Sequence, residues 1–277
     1  MQNAGLAALG LDWRYLAFEV PPTELSQVIR AAKLMRFIGL NLTVPHKLLA
    51  LDLVDALDDS AREWGAVNTI RFEARDSSGE WTPLGNIQDE IPSEIRSHGF
   101  NTDAEGLAQA LREDLGFNFA GTSVLLLGAG GAGRMAALKL ASESVSRLYL
   151  QNRTSSKAEA LAAEIRQRYP VVRVATGYPD EEVDLVINAT SAGLKTSDPL
   201  PMDESSFALR QARMVYDMIY RPAETPFLKA AKAAGSRVAN GIGMLLYQGA
   251  RALEIWTGQP APIGVMREAL LRNVYGA

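Results

Sequence analysis

The first 72 residues change repeatedly between the apolar spacing of a helix and that of a strand. Leu6 and Leu9 lie one helical turn apart, whereas Trp13, Tyr15 and Ala17 recur at the spacing of a strand. The pattern then predicts a helix, a strand, two helices and a strand, at residues 23–35, 37–42, 47–57, 60–64 and 67–72. Such alternation favours an α/β fold with a mostly parallel sheet.

A second α/β series follows, in the order of a nucleotide-binding domain. Its predicted strands cover residues 123–127, 147–151, 171–175, 183–189 and 214–219. Its predicted helices cover residues 104–115, 133–142 and 156–169, and two further helices are predicted at 242–257 and 263–274. Residues 74–98, between the two series, are polar and rich in turn residues, which indicates an elaborated hairpin or a surface loop.

Length and composition limit the classes of protein to which the chain can belong. Its 277 residues, 47% hydrophobic and 22% charged, suit one large or two ordinary globular domains. The net charge of -4 and the lack of a basic run argue against nucleic-acid binding, so small molecules are the expected partners.

Cysteine and histidine are too scarce for several kinds of chemistry. The chain has no cysteine and two histidines, which excludes disulfides and thiolate nucleophiles and predicts no metal site. An apolar run long enough to span a membrane is absent from the sequence, as is a secretory signal. We therefore expect a cytoplasmic protein without membrane association.

A glycine-rich motif follows the predicted strand 123–127. Gly128, Gly130 and Gly133 have the G-x-G-x-x-G spacing and precede a predicted helix. In this context glycine lets the backbone approach a pyrophosphate, whose charge the helix N-terminus stabilises. The motif predicts a dinucleotide site, and the alternative is a tight turn that binds nothing.

The residues after strand 147–151 indicate which dinucleotide binds. An NAD site usually has an acidic residue here, to accept hydrogen bonds from the ribose hydroxyls. This chain has instead Asn152, Arg153, Thr154 and Lys157. A guanidinium, an amine and neutral hydrogen-bond donors suit a phosphate, which favours NADP. The alternative for Arg153 alone is a solvated basic loop.

Lys47 stands where a cation opposes the helix dipole. Pro45 marks the start of the predicted helix, so Lys47 falls in its first turn, where stability gives little reason for a lysine. The dipole and partial burial would favour proton release, as acid/base chemistry requires. Asn68 and Asp103 lie in further polar stretches, and a carboxylate near Lys47 would orient it. A turn residue and a helix cap are the alternatives for these two.

Several motifs together carry a resemblance to a known family. They are "GLNLTVPHK", "GAVNT", "GFNTD", "GAGGAGR", "NRT", "NATSAG", "DMIYRP" and "NGIGMLLYQGA". Their order resembles that of shikimate dehydrogenases over essentially the whole chain. The resemblance implies an α/β substrate domain at 1–103, a Rossmann NADP-binding domain at 104–241, and C-terminal helices at 242–277 that pack back on the first domain.

The resemblance also implies a reaction and its residues. The family reversibly reduces 3-dehydroshikimate to shikimate with NADPH, in the shikimate pathway to chorismate and the aromatic amino acids. It implies that Lys47 is the catalytic acid/base and Asp103 its catalytic partner. The implied substrate ligands are Thr43, Lys47, Asn68, Asp103, Tyr220 and Gln248. The implied cofactor ligands are Gly128, Ala129, Gly130, Gly131 and Ala132 at the pyrophosphate, Asn152, Arg153, Thr154 and Lys157 at the 2'-phosphate, Thr190 nearby, and Met218 and Gly241 at the nicotinamide.

Some implied ligands have a purely structural alternative. Tyr220 ends a predicted strand and could pack there, and Met218 could belong to the core. Gln248 lies on an otherwise apolar helix, where a buried amide without a partner would cost about 1–3 kcal/mol. That cost favours a functional role for Gln248.

The chain departs from the family pattern in two places. In the family a short hairpin usually separates the "GAVNT" and "GFNTD" motifs, whereas this chain has the additional polar residues 74–98 between them. An exposed extension, a lid or a homodimer contact would each account for these residues. Family members also begin with a strand and an S-x-S-P loop that binds the substrate carboxylate. We expect this chain to lack both, since it starts at the helix that follows them.

Two other functions compete with an NADP-dependent shikimate dehydrogenase. A quinate/shikimate dehydrogenase commonly prefers NAD, which the "NRT" motif disfavours. An inactive NADP-binding regulatory paralogue would account for the lost serine loop, but Lys47 and Asp103 argue against it.

Overall fold

The computed structural model describes residues 1–76, 78–87, 92 and 94–276. Its α-helices within those residues are α1 (Gln2–Ala8), α2 (Leu25–Leu34), α3 (His46–Leu49), α4 (Asp59–Trp64), α5 (Asp103–Leu115), α6 (Gly131–Ser142), α7 (Ser155–Arg168), α8 (Pro226–Ala233), α9 (Ile242–Thr257) and α10 (Ile263–Tyr275). Its strands are β1 (Gly39–Asn41), β2 (Ala56–Leu57), β3 (Thr69–Arg75), β4 (Trp81–Pro83), β5 (Ile95–Phe100), β6 (Ser123–Leu127), β7 (Arg147–Gln151), β8 (Arg173–Thr176), β9 (Val183–Asn188), β10 (Ala212–Asp217) and β11 (Arg237–Asn240). None of the helices in these described ranges is long and apolar enough to cross a membrane.

The chain divides into two units, which are described separately. The first unit comprises residues 1–103 and 248–277, and the second comprises residues 104–247. Helix α9 therefore starts in the second unit and ends in the first. The functional boundaries inferred from the sequence, at 103 and 241, stay a prediction.

The sheet of the first unit has the strand order β1-β3-β5-β2, with β4 also paired to β3. Strand β3 runs antiparallel to β1, β4 and β5, whereas β2 and β5 are parallel. The predicted mostly parallel sheet is therefore mixed, because β3 alone opposes the other strands. Along β3, Ile70, Phe72 and Ala74 face the core, and Arg71 and Glu73 lie on the opposite face, as the period of two requires.

The C-terminal helices pack on the first unit, as predicted. Ala252, Ile255 and Trp256 of α9 form an apolar cluster with Phe100. The indole Nε1–H of Trp256 donates to the carbonyl of Ile70 at 2.9 Å. A Cβ atom on Gly39 would lie 2.1 Å from that indole nitrogen, so glycine permits the close approach.

The second unit is a parallel sheet with the strand order β11-β10-β9-β6-β7-β8. The chain starts in the middle at β6, adds β7 and β8 on one side, and then β9, β10 and β11 on the other. This is the Rossmann order, whose ligands bind outside the carboxyl ends of the strands, at the reversal between β6 and β9. The predicted α/β fold class with a Rossmann domain is confirmed.

The predicted strand around Trp13 and Tyr15 is wrong. Residues 11–21 form no strand, and the two aromatic side chains pack instead beside Trp256 and Phe100. Their alternation reflects two inward-facing side chains on an irregular segment. Alternating apolar residues indicate which side chains are buried, but they do not show that the backbone pairs with another strand.

The predicted helix 47–57 is also wrong after its first turn. Helix α3 ends at Leu49, a 3-10 turn covers Ala50–Asp52, and residues 56–57 become strand β2. The backbone N–H of Asp55 donates to the Ser97 carbonyl, and β2 pairs with β5. Pairing with a distant strand thus overrides the local helical pattern.

The stretch 74–98 contains the predicted hairpin and a strand that the sequence pattern did not reveal. Strands β3 and β4 form the hairpin around Asp76, and β5 begins within the stretch at Ile95. Residues 77, 88–91 and 93 lie outside the described residues, so a lid or a dimer contact stays a prediction. Helix α8 and strand β11 of the second unit were likewise not predicted.

Candidate active site

A lysine and a carboxylate from distant parts of the chain meet in the first unit. Lys47 Nζ donates to Asp103 Oδ2 at 2.7 Å. The side chains are 27% and 12% exposed, so solvent screens the pair only partly. Lys47 lies on the single turn α3, whose dipole is too small to dominate. The ion pair, rather than the helix, therefore determines the orientation of the amine.

Asn68 fixes the second oxygen of Asp103. Its Nδ2 donates to Asp103 Oδ1 and to Thr102 Oγ1, both at 2.9 Å, and its Oδ1 accepts from the Thr102 backbone N–H at 2.8 Å. Asn68 is 2% exposed. Gln248 Oε1 lies 3.5 Å from the same amide nitrogen. The structure thus brings together four predicted site residues: Lys47, Asn68, Asp103 and Gln248.

The sequence interpretation missed residues that support Asn68 from behind. Asn41 Nδ2 donates to Thr69 Oγ1 at 3.0 Å, and the Thr69 hydroxyl donates to Asn68 Oδ1 at 3.2 Å. Tyr15 donates its hydroxyl hydrogen to Asn41 Oδ1 at 3.0 Å. Asn41 and Thr69 lie within the motifs already quoted, at positions where buried polar residues need partners, and that signal could have revealed them.

Thr43 lies apart from this hydrogen-bonded cluster. It is exposed, and its side chain makes no hydrogen bond to any residue that the structure describes. Its carbonyl accepts from the His46 N–H at 2.9 Å. His46 Nε2 lies 2.9 Å from the Val20 carbonyl.

The glycine loop of the second unit has the space that a pyrophosphate requires. Gly128 has φ +108°, which favours glycine, and a Cβ atom on Gly133 would lie 2.1 Å from the Gly128 carbonyl oxygen. Around Gly130 and Gly131, a Cβ atom would meet nothing within 4 Å. The first and last glycines are therefore needed for the turn itself, whereas the middle two leave the N-terminus of α6 open.

Asn152 connects the glycine loop to the loop that follows β7. Its Oδ1 accepts from the Ala129 N–H at 3.0 Å, and its Nδ2 donates to the Thr154 carbonyl at 2.9 Å. Arg153 and Lys157 are exposed and form no ion pair with a described residue. By contrast, nearby Arg147 pairs with Glu181. The site therefore keeps two cations available for an anion from outside the chain, in agreement with a 2'-phosphate.

The remaining predicted cofactor residues lie at the carboxyl ends of β9, β10 and β11. Thr190 follows β9 and donates its hydroxyl hydrogen to Asn188 Oδ1 at 2.7 Å. Met218 follows β10 and is half-buried, and a Cβ atom on Gly241 would lie 2.1 Å from its carbonyl oxygen. Tyr220, which was predicted as a substrate ligand, also follows β10 and is 39% exposed. All of them lie at the edge where Rossmann domains bind ligands.

Three family profiles match successive parts of the chain. The shikimate dehydrogenase substrate binding domain matches residues 1–70, and shikimate / quinate 5-dehydrogenase matches residues 108–218. The shikimate 5'-dehydrogenase C-terminal domain matches residues 241–271. The matched segments follow the order of the two units and cover most of the chain.

Known proteins resemble the chain over nearly its full length. A shikimate dehydrogenase (NADP(+)) of Methanopyrus kandleri is 39% identical over 281 residues, covering 99% of this chain and 90% of that relative. The crystal structure of a shikimate 5-dehydrogenase from Thermus thermophilus, with NADP(H) and shikimate, has a TM-score of 0.78 at 34% identity and covers 98% of this chain and 92% of that one. A 5-ketofructose reductase of Gluconobacter sp. strain CHM43 has a TM-score of 0.79 at 32% identity, covering 99% and 92%. With such identity over nearly the whole of both chains, this chain belongs to the shikimate dehydrogenase family.

Proposed function

We propose that this chain is an NADP-dependent shikimate dehydrogenase, which reversibly reduces 3-dehydroshikimate to shikimate. The observation that carries the proposal is the ion pair of Lys47 with Asp103 at 2.7 Å, held by Asn68. A cation fixed by a carboxylate and an amide is suited to acid/base work on a hydroxyl or carbonyl oxygen. The family reaction needs such a group.

Lys47 acts on the oxygen of the reacting carbon. In the direction of oxidation it accepts the hydroxyl proton of shikimate, and in the direction of reduction its ammonium donates a proton to the carbonyl oxygen of 3-dehydroshikimate. Asp103 accepts a hydrogen bond from Nζ and so keeps the amine oriented. A bound nicotinamide would supply the hydride transfer, with NADP+ as the acceptor in oxidation and NADPH as the donor in reduction.

The polar side chains around the pair provide hydrogen bonds for the other substrate oxygens. Asn68 and Gln248 are the nearest, because they already contact each other or Asp103. We assign Thr43 and Tyr220 to the same task on the strength of their motifs alone. Pre-oriented amides hold a polyhydroxylated substrate in one pose, which favours reaction over non-productive binding.

The cofactor proposal relies on fit at two places. The open N-terminus of α6, with the backbone from Gly128 to Ala132, suits the pyrophosphate. Arg153, Thr154 and Lys157 suit the 2'-phosphate, since both cations lack an ion-pair partner among the described residues. Asn152 contributes by holding the two loops together. Thr190, Met218 and Gly241 are assigned to the nicotinamide end.

Purified protein assayed with shikimate and either NADP+ or NAD+, by NADPH or NADH absorbance, tests the proposal. Shikimate with NADP+ should have the highest kcat/KM. If quinate is oxidised faster with NAD+, the protein is a quinate dehydrogenase instead. If 5-ketofructose is reduced faster by NADPH, then 5-ketofructose and not 3-dehydroshikimate is the substrate. Tight NADPH binding without turnover of any of these substrates would favour the non-catalytic NADP-binding alternative.

A further inference from the structure

Asp217 is a buried carboxylate to which the proposed reaction assigns no role. It ends β10 and is 0% exposed. A buried charge without a compensating group is costly, so its partners indicate why it is there. Burial raises the pKa of Asp217, and hydrogen bonds from Thr225, the Ile219 backbone and Asn188 offset this only in part. The hydrogen-bond donors found among the described residues are all neutral.

The two oxygens of Asp217 connect three separate segments. Oδ1 accepts from Asn188 Nδ2 at 3.0 Å and from the Ile219 N–H at 3.1 Å, and Oδ2 accepts from the Thr225 hydroxyl at 2.6 Å. Asn188 ends β9, Ile219 lies in the turn after β10, and Thr225 precedes α8. One carboxylate therefore links the end of a neighbouring strand, its own following turn and the start of a helix.

Asn188 carries this link into the loop after β9. It is 0% exposed, and its Oδ1 accepts from the N–H and the hydroxyl of Thr190, at 3.0 and 2.7 Å. Its Nδ2 also donates to the Ala192 carbonyl at 3.0 Å. The loop that contains Thr190 is thus fixed to a side chain that Asp217 holds.

The turn after β10 is fixed by the same residues. The Met218 N–H donates to the Asn188 carbonyl at 3.0 Å, and the Gly241 N–H donates to the Ile219 carbonyl at 3.2 Å. Thr225 is also buried, and its hydroxyl accepts from the Leu228 N–H at 3.2 Å, which caps α8. These groups form one hydrogen-bonded network that connects the loops after β9 and β10.

We propose that Asp217 is a positioning residue that holds the loops after β9 and β10 in one arrangement, and so orients Thr190 and Met218 for the nicotinamide end of NADP. The proposal rests on the proposed function, because that function places these two residues at the nicotinamide. It assigns Asp217 no direct contact with substrate or cofactor. Its effect should therefore be confined to the nicotinamide half of the site.

The test compares binding of NADP+ with binding of adenosine 2',5'-bisphosphate, a probe that lacks the nicotinamide. In Asp217→Asn, calorimetry should show the Kd of NADP+ raised about 10-fold, as expected for one lost hydrogen bond, with the Kd of the bisphosphate unchanged. The kcat for shikimate should fall about 100-fold, since a small misplacement of reacting groups has effects of that size. The amides of Thr190 and Ala192 should exchange hydrogen faster.

Matched variants separate positioning from general stability. Asp184→Asn changes a carboxylate at the other end of β9, which accepts from the Ser123 N–H at 2.9 Å, and should leave the ratio of the two Kd values unchanged. Thr225→Val replaces the hydroxyl by a methyl group, which removes the hydrogen bond to Asp217 and the cap of α8, and should shift the ratio in the same direction. Thr225→Ser retains both hydrogen bonds and should preserve the ratio. If Asp217→Asn does not fold, the ratio of the two Kd values is compared between Thr225→Val and Thr225→Ser instead.

The positioning role would be overturned if Asp217→Asn left the ratio of the two Kd values unchanged, whether or not both ligands bound more weakly. The same change of this ratio in Asp184→Asn would overturn it as well. The binding constants and the exchange rates remain decisive if the wild-type protein oxidises no shikimate. Such a result would contradict the proposed function while leaving the role of Asp217 at the cofactor end to be judged separately.

Discussion

The two units of the chain satisfy their buried carboxylates in opposite ways. In the first unit Glu73 is 1% exposed and meets three cationic or protonatable side chains: Arg71, Arg96 and His98. Burial alone would raise the pKa of Glu73, but hydrogen bonds from His98, Arg71 and Arg96 outweigh it and lower the pKa to about 2. Asp103 is likewise paired with the cation of Lys47.

In the second unit, Asp217 is satisfied by an amide, a hydroxyl and a backbone N–H. The cations of the nucleotide loop, Arg153 and Lys157, have no ion-pair partner within the ranges described. Burial raises the pKa of Asp217, and its neutral hydrogen-bond donors do not outweigh that effect as the charged partners of Glu73 do.

The two units differ in whether the cation proposed to act on a ligand is already paired within the chain. In the first unit the cation is used inside the chain, so Lys47 is oriented before any substrate arrives. In the second unit other cations, such as Arg134 and Lys139, are ion-paired within the chain, whereas Arg153 and Lys157 have no ion-pair partner among the described residues. Four variants test this division, starting with the largest expected effect.

Lys47→Ala should lower kcat for shikimate about 1,000-fold, because general acid/base groups contribute effects of that order. The Kd of NADP+ should be unchanged, since the residue belongs to the first unit. Steady-state kinetics and calorimetry measure both. Lys33→Ala is the control, because it removes a lysine that is paired with Asp55 in the same unit. A kcat that survives in Lys47→Ala contradicts the catalytic assignment.

Glu73→Gln should reduce the free energy of unfolding near neutral pH by about 3 kcal/mol, because it leaves Arg71 and Arg96 without their carboxylate. In the wild type this stability is present above the ordinary pKa of 4.5 and is lost as the pH falls toward about 2. Urea unfolding at several pH values measures the loss. A variant with the same acid dependence as the wild type would refute the proposed contribution of Glu73.

Arg153→Ala should weaken NADP+ binding about 10-fold to 100-fold and leave NAD+ binding nearly unchanged, because a charged hydrogen bond to phosphate contributes about 1.5–3 kcal/mol. Calorimetry with the two dinucleotides gives the comparison. Arg166→Ala is the control, because this arginine lies on α7, the helix that follows Arg153, but donates to the Val174 carbonyl. Equal weakening of both dinucleotides would argue against a phosphate contact.

Asp217→Asn should change the pH dependence of unfolding in the opposite sense to Glu73→Gln, and by less. A raised native pKa means that the wild type loses stability as the pH rises from the ordinary value of 3.8 through the raised pKa. The variant should lack that slope. Urea unfolding over the same pH series measures the difference in stability between wild type and variant. A difference that changes with pH in the same sense as that for Glu73→Gln would contradict the raised pKa of Asp217.

The sequence predicted the Rossmann half more accurately than the substrate half. Strands β6 and β7 begin and end at the predicted residues, because buried runs and glycine boundaries are local signals. In the first unit, the end of α3 and the whole of β2 were missed, since the pairing of β2 with β5 depends on residues far away in the chain. The roles of the site residues stay predictions in both units.

The family, the order of the motifs and the identity of the candidate charged residues could be inferred from the sequence. Their partners became evident from the folded chain: Lys47 pairs with Asp103, Glu73 with two arginines, and Asp217 with neutral donors. Periodicity and motif spacing indicate only local burial and turns. Ion pairs and buried hydrogen bonds depend instead on distances between residues that only the folded sheets bring together.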